Sequence, residues 1–154
     1  MKVRDIMTTA VVTVQPGDSV NRVAQLMEER GVNGLPVADE AGKVVGIITE
    51  LDLILRNTRL EPPAFFQILD GRIPLETPSH FRKRMRHMLG TEARDVMSEP
   101  VISIAPDQDV EDLAELMTKR RVNPVPVIDG DRLVGIVSRT DIVHMMAHDL
   151  GTSE

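Results

Sequence analysis

The feature that most constrains this chain is that it carries much of its sequence twice. Arg4-Asp5-Ile6-Met7 returns as Arg94-Asp95-Val96-Met97, and Gly46-Ile47-Ile48-Thr49-Glu50-Leu51-Asp52 returns as Gly135-Ile136-Val137-Ser138-Arg139-Thr140-Asp141. Placing residues 4–39 over 94–129 and 43–54 over 132–143 gives 19 identities in 48 positions, where composition alone would give roughly one in fifteen. A long array of such units would predict a solenoid. Two units of roughly 50 residues predict instead two half-domains that bury their apolar faces on each other, with paired clefts between them.

Each unit reads as strand, helix, strand, strand, helix. In the first, Val11, Val12 and Val14 form a β-branched run closed by Pro16-Gly17. Val20, Val23, Ala24 and Met27 then recur at helical spacing, with Asp18 or Ser19 as N-cap and Gly31 as stop. Leu35 to Ala38 and Val44 to Ile48 flank a hairpin loop, and a second helix begins near Thr49. The second unit follows with Val101 to Ile104, a helix turning Val110, Leu113, Ala114 and Met117 inward, and a hairpin shortened by one residue to the tight-turn sequence Asp129-Gly130-Asp131-Arg132. Pro36 and Pro126 fall inside strand readings, which makes those strands edges or sites of a bulge. Backbone groups left without strand partners there can serve a ligand. Met7, Met27, Met97 and Met117 occupy matching positions and read as core fillers.

The units divide the chain into residues 1–55, an intervening segment 56–92, and 93–154. The intervening segment contains an apolar, Pro-started stretch from Glu61 to Gly71, expected to pack on the body. It also contains a basic amphipathic helix from Ser79 to Leu89, with Ser79 as cap, Gly90 as stop, and Phe81, Met85, Met88 and Leu89 on one side. Between residues 56 and 93 there are seven basic and four acidic side chains, so this stretch carries +3 and the rest of the chain −9. The run Arg82 to Arg86 reads first as a solvated helix face; phosphate, DNA or an acidic partner are its functional alternatives. An acidic body with three aromatic residues, all Phe and all in this stretch, argues against nucleic-acid binding. The absence of cysteine suits a reducing cytoplasm, and no run of about 18 apolar residues predicts a membrane span.

Two local motifs carry chemistry. Thr49-x-x-Asp52 and Ser138-x-x-Asp141 each match a capping box at a strand-to-helix junction. The same geometry presents a hydroxyl where helix N–H groups favour an anion, and a carboxylate that can accept both hydroxyls of a ribose. Gly46 and Gly135 allow a neighbouring backbone to approach closely. His144 and His148 stand one turn apart, but a third metal ligand is not evident. No nucleophile and base, Walker loop, GxSxG or HExxH motif can be assembled, so an enzyme is disfavoured.

With its Asp-Ile/Val-Met opening, Val-Asn-x-x-Pro-Val centre and Gly-Ile-x-Thr/Ser-x-x-Asp ending, each present twice, the chain resembles a tandem pair of cystathionine beta-synthase (CBS) domains, the Bateman module, over about residues 3–55 and 93–147. The resemblance implies an α/β (α+β) fold of two β-α-β-β-α repeats packed with pseudo-twofold symmetry around two clefts. It further implies a non-catalytic regulatory module that binds AMP, ADP, ATP or S-adenosylmethionine as effector, signals to a partner protein, and forms a homodimer. Carried over by position, one cleft would use Asp141 for the ribose, Ser138, Arg139 and Thr140 nearby, and Thr8, Val11, Val32, Asn33 and Gly34 from the opposing repeat. Its mirror would use Thr49, Asp52, Ser98, Val101, Val122, Asn123 and Pro124.

The two sets differ in kind: Thr140 is matched by Leu51, and Arg139 by Glu50. If positions 50 and 139 face their own clefts, Arg139 favours phosphate and Glu50 opposes it, making the Asp141 cleft the better site. The rival readings are a structural or protein-interaction module with empty clefts, a small nucleotide-processing enzyme, and a Mg²⁺-binding acidic surface.

Overall fold

The computed structural model describes residues 1–57, 65–68, 71–74 and 77–149. The first repeat comprises α1 (Val3–Ile6), α2 (Val20–Arg30), β1 (Gly34–Ala38), β2 (Val44–Thr49) and α3 (Glu50–Arg56). The intervening segment holds β3 (Phe65–Ile68), β4 (Gly71–Pro74) and α4 (Pro78–Leu89). The second repeat comprises α5 (Ala93–Val96), α6 (Val110–Arg120), β5 (Val125–Asp129), β6 (Arg132–Val137) and α7 (Arg139–Asp149). β1 pairs with β2, β3 with β4 and β5 with β6, all antiparallel.

The expected first strand of each repeat shrinks to one rung. Val14 bridges Val37 and Ile104 bridges Val127, both parallel. Val14 N–H donates to Pro36 O at 3.0 Å and takes Ala38 N–H on its own carbonyl at 2.9 Å; Ile104 does the same between Pro126 and Ile128. The next rung back would need an N–H from Pro36 or Pro126, and proline has none. The prolines therefore end the ladder and leave the backbone before Val14 unpaired by strand. The register shifts fall one residue later, at Val37/Ala38 and Val127/Ile128.

Helices α2 and α6 form where the apolar spacing places them. Ser19 Oγ accepts Arg22 N–H at 3.1 Å and Gly31 closes α2 in the left-handed region at φ 61°. Val20, Val23 and Met27 are buried, as are Val110, Leu113 and Met117 of α6, whereas Ala24 stays exposed. In α4 the cap is Thr77, accepting from His80 N–H at 3.3 Å, not Ser79; Pro78 occupies the first helical position, where its missing donor costs nothing. Phe81 and Met85 are half-buried and Leu89 is exposed. Packing of the stretch from residue 61 to 71, apart from the backbone of the β3–β4 hairpin, lies outside the described residues.

What organises the molecule is an exchange of repeat openings. α1, at the start of repeat one, packs in the core of repeat two: Val3 is fully buried with Ile104, Leu113, Met117, Val125, Val127 and Val137. α5, at the start of repeat two, packs in the core of repeat one, where Ala93 and Val96 are fully buried with Val14, Val23, Leu35, Val37 and Ile48. The backbone ties match: Val3 N–H to Gln108 O and Arg4 N–H to Pro106 O on one side, Ala93 N–H to Asp18 O and Arg94 N–H to Pro16 O on the other. Lys2 also pairs with Asp109 at 2.9 Å, which raises the lysine pKa and lowers that of Asp109 through their hydrogen bond. Each fully buried valine of these openings contributes about 1.5–3 kcal/mol of apolar burial.

Beyond each short helix the chain pairs with the opposite hairpin. Thr8 and Ile136 exchange both backbone hydrogen bonds at 2.9 Å, and Ser98 and Ile47 do so at 2.8 and 3.2 Å. Gly46 and Gly135 make room for this crossing. The close neighbour is chiefly a side chain and not the expected backbone: a Cβ on Gly46 would stand 2.5 Å from Met97 Sδ and 3.1 Å from Met97 Cβ, and one on Gly135 would stand 2.5 Å from Met7 Sδ. Gly46→Ala is therefore expected to destabilise the chain by about 1–3 kcal/mol through overpacking. In a Met97→Ala background the same change is expected to cost much less, as read by a double-mutant cycle of urea midpoints.

Candidate functional site

The strand-to-helix junctions put a hydroxyl and a carboxylate side by side twice. At β2–α3, Asp52 Oδ2 accepts Thr49 N–H at 2.9 Å and Thr49 Oγ1–H at 3.2 Å. At β6–α7, Asp141 Oδ2 accepts Ser138 N–H at 2.6 Å and Ser138 Oγ–H at 2.8 Å. Both capping boxes are thus formed, and in each the second carboxylate oxygen is left over. Its fate separates the two sites.

Asp52 Oδ1 accepts the Ser98 hydroxyl at 3.0 Å. Ser98 arrives on the exchanged opening of repeat two, and it closes the carboxylate into a fully hydrogen-bonded, buried position, 6% exposed. Asp141 is half-buried, and among the described residues its Oδ1 accepts no hydrogen bond. Thr8, the counterpart of Ser98, makes no hydrogen bond to Asp141 Oδ1 and lines a cavity beside it.

That cavity has a volume of about 780 Å³. Thr8, Val11, Val32, Asn33, Gly34, Ser138, Thr140 and Asp141 all line it, so eight of the nine residues expected for this cleft come together from both repeats. Arg139 does not. It lies in a separate depression with Arg121 and Thr118 of the α6 region and Ile142 and Val143 of α7, and its backbone N–H is taken by Asn123 Oδ1 at 2.9 Å. Glu50, expected in the mirror cleft, instead lines this one beside Asn33, whose carbonyl accepts Glu50 N–H at 3.0 Å.

The cavity's charged side chains are Glu28, Glu50 and Asp141 against Arg30, so the expected phosphate-favouring contrast between Arg139 and Glu50 is not built. Two of the first three N–H groups of α7 are also spent, one on Asn123 and one on Ser138, which leaves that of Thr140.

Of the mirror set, Thr49, Asp52 and Ser98 form one connected hydrogen-bonded group. Asn123 is committed to α7, and Val122 packs against the repeat-two core. Val101 is half-buried. Pro124 crosses over: it lines the Asp141 cavity, and its ring lies where a Cβ on Gly34 would stand 2.5 Å away.

Ala10 and Val12 fall within the strand expected around Thr8 to Val12, Glu50 is expected only for the mirror cleft, and Glu28 and Arg30 are among the lining residues that no sequence motif marks. Ala10 and Val12 belong to the backbone that Pro36 leaves without a ladder, and that proline was the signal. Nothing local to Glu50 or Arg30 marks them. Among the described residues no group of three metal-ligating side chains includes His144 and His148, and no helix is long and apolar enough to cross a membrane.

The family described as the CBS domain matches residues 3–57 and 93–148. An uncharacterised protein of Methanocaldococcus jannaschii is 31% identical over 95% of this chain and 91% of its own length. Among solved structures, CBSX2 in complex with AMP has a TM-score of 0.79 at 24% identity, covering 99% of both chains. The CBS domain pair of protein MJ0100, in complex with 5′-methylthioadenosine and S-adenosyl-L-methionine, has a TM-score of 0.72 at 25% identity, covering 97% of this chain and 98% of that one.

The unequal carboxylates lead to unequal stabilities. Asp52→Ala removes a buried carboxylate that ties Thr49 to the exchanged Ser98, and its cost is expected to exceed that of the half-buried Asp141→Ala by about 1 kcal/mol or more. Thermal or urea unfolding measures the difference; equal midpoints would show that the Ser98 bond adds nothing.

Proposed function

Because the chain belongs to the CBS-domain family, we propose that it is a non-catalytic regulatory module that binds an adenosyl compound in the Asp141 cleft and passes its occupancy to a partner protein. The observation that carries this reading is the unclaimed Oδ1 of a half-buried aspartate facing a cavity of about 780 Å³, within the roughly 300–1,000 Å³ usual for small-ligand sites. In this reading Asp141 accepts the two ribose hydroxyls, and Thr8, Ser138 and Thr140, which line the same cavity, support it. The backbone that Pro36 leaves unladdered, together with residues 32–34, offers donors and acceptors to the adenine edge.

AMP, ADP, ATP and S-adenosylmethionine share those adenosyl features. The ligands of CBSX2 and of the MJ0100 domain pair belong to the same class. The acidic lining makes the adenosyl part, and not the phosphates, the main source of recognition.

Such a ligand touches both repeats at once. Binding would favour whichever packing of the halves closes on it, by no more than its differential affinity for the two arrangements. The readout surface is then the helices nearest the clefts. α3 and α7 expose Leu51, Ile54, Val143 and Met146, each more than half exposed, and these faces suit a homodimer or a partner helix. The alternative role, an interaction module with an empty cleft, is favoured only for the mirror site, where Ser98 already holds Asp52.

Titration calorimetry with AMP tests the assignment. One site per chain is expected, with Asp141→Ala weakening it at least about tenfold, the worth of one charged hydrogen bond, and Asp52→Ala leaving it nearly unchanged. A larger loss from Asp52→Ala would sink the ranking of the clefts.

A further inference from the structure

A second depression lies away from the Asp141 cleft, where α4 of the intervening segment meets α5. Arg82, Lys83 and Arg86 of α4 and Arg94 of α5 line it, with Asp95 and Glu99 on its wall, around a volume of about 400 Å³. Of the acidic groups nearby, Asp95 and Glu92 are engaged locally, while Glu99 stays on the wall. Asp95 Oδ2 accepts the backbone N–H groups of Thr91 and Glu92 at 3.3 and 3.2 Å, and Glu92 pairs with Arg94 Nε at 2.7 Å.

Among the described residues no carboxylate pairs with Arg82, Lys83 or Arg86; Arg82 Nε donates only to Pro78 O, at 3.4 Å. All three are exposed. Arg82 and Arg86 stand one helical turn apart, an arrangement of like charges that opposes helix formation. Four cations against two carboxylates leave the hollow net positive, and an anion there would relieve the cations' remaining repulsion.

The lining selects among anions. Among the described residues it holds no aromatic side chain on which a base could stack, and the rest of the chain is net acidic, which disfavours an extended nucleic acid. The guanidinium groups of Arg82 and Arg86 and the ammonium of Lys83, with the Glu92-paired Arg94 beside them, line one small concavity and match several phosphate oxygens better than a single carboxylate. We propose that the Arg82–Lys83–Arg86–Arg94 depression is a binding site for a condensed phosphate, a diphosphate or triphosphate group. Such an anion would tie α4 to α5, and α5 carries Ala93 and Val96 into the core of repeat one. The site is independent of the Asp141 cleft.

Sodium tripolyphosphate, titrated calorimetrically into the full chain at low salt, is the probe. One site per chain is expected, weakening as ionic strength rises. The double variant Arg82→Ser/Arg86→Ser is expected to lose at least about tenfold in affinity, one charge-assisted contact or more, while Arg82→Lys/Arg86→Lys retains most of it; circular dichroism confirms that both variants fold. No binding, equal binding by the serine variant, or orthophosphate binding as tightly as tripolyphosphate would each overturn the proposal. Displacement of tripolyphosphate by ATP but not AMP supports the site with a nucleotide tail as occupant, and displacement by neither supports it with a free condensed phosphate.

Discussion

The exchange of repeat openings is the interaction on which the rest of this structure depends. Neither half can complete its core from its own stretch of sequence: one needs Val3, the other Ala93 and Val96. Because the crossings continue into the pairings Thr8–Ile136 and Ser98–Ile47, each strand-to-helix junction faces residues from the other repeat. The composite clefts follow from the core packing and need no separate device. The glycines that precede the motifs serve the same crossing, by admitting Met7 and Met97.

Within that frame the copies have diverged at a few atoms of the two strand-to-helix junctions. Ser98 reaches Asp52 while Thr8 leaves Asp141 open. Whether the hydroxyl on the exchanged segment reaches the carboxylate therefore separates an aspartate tied into the scaffold from one that faces a cavity. Asn123, spent on the first turn of α7, and Asn33, lining the cavity, show the same division of labour. The buried charge of Asp52 is tolerated because both its oxygens are satisfied.

The elements with a strong local signature were legible in the sequence. Apolar spacing with Ser19 and Gly31 at its ends fixed α2, and the Asp-Gly pair fixed the turn between β5 and β6. The cleft carrying Asp141 was legible through its duplicated motif and the family resemblance. Four-residue α1 and α5 were not, since one turn has no periodicity to read, and the valine runs misled because the rung that would extend them is blocked by prolines more than twenty residues away. Thr77 was missed as a cap because the helix starts at Pro78, three residues before Phe81 opens the hydrophobic face. The places of Glu50 and Arg139 depend on which half each helix start turns towards, a property of the crossing and not of either residue.

Joining the two repeats in one chain also changes what kind of object the exchange is. A single unit of this design would have to borrow its opening from a second molecule, as domain-swapped dimers do, and its two clefts would then be identical by symmetry. Covalent linkage makes the borrowing intramolecular and independent of protein concentration. It also releases the two openings from having to be the same sequence. A serine in one and a threonine in the other is a difference that only the fused form can keep.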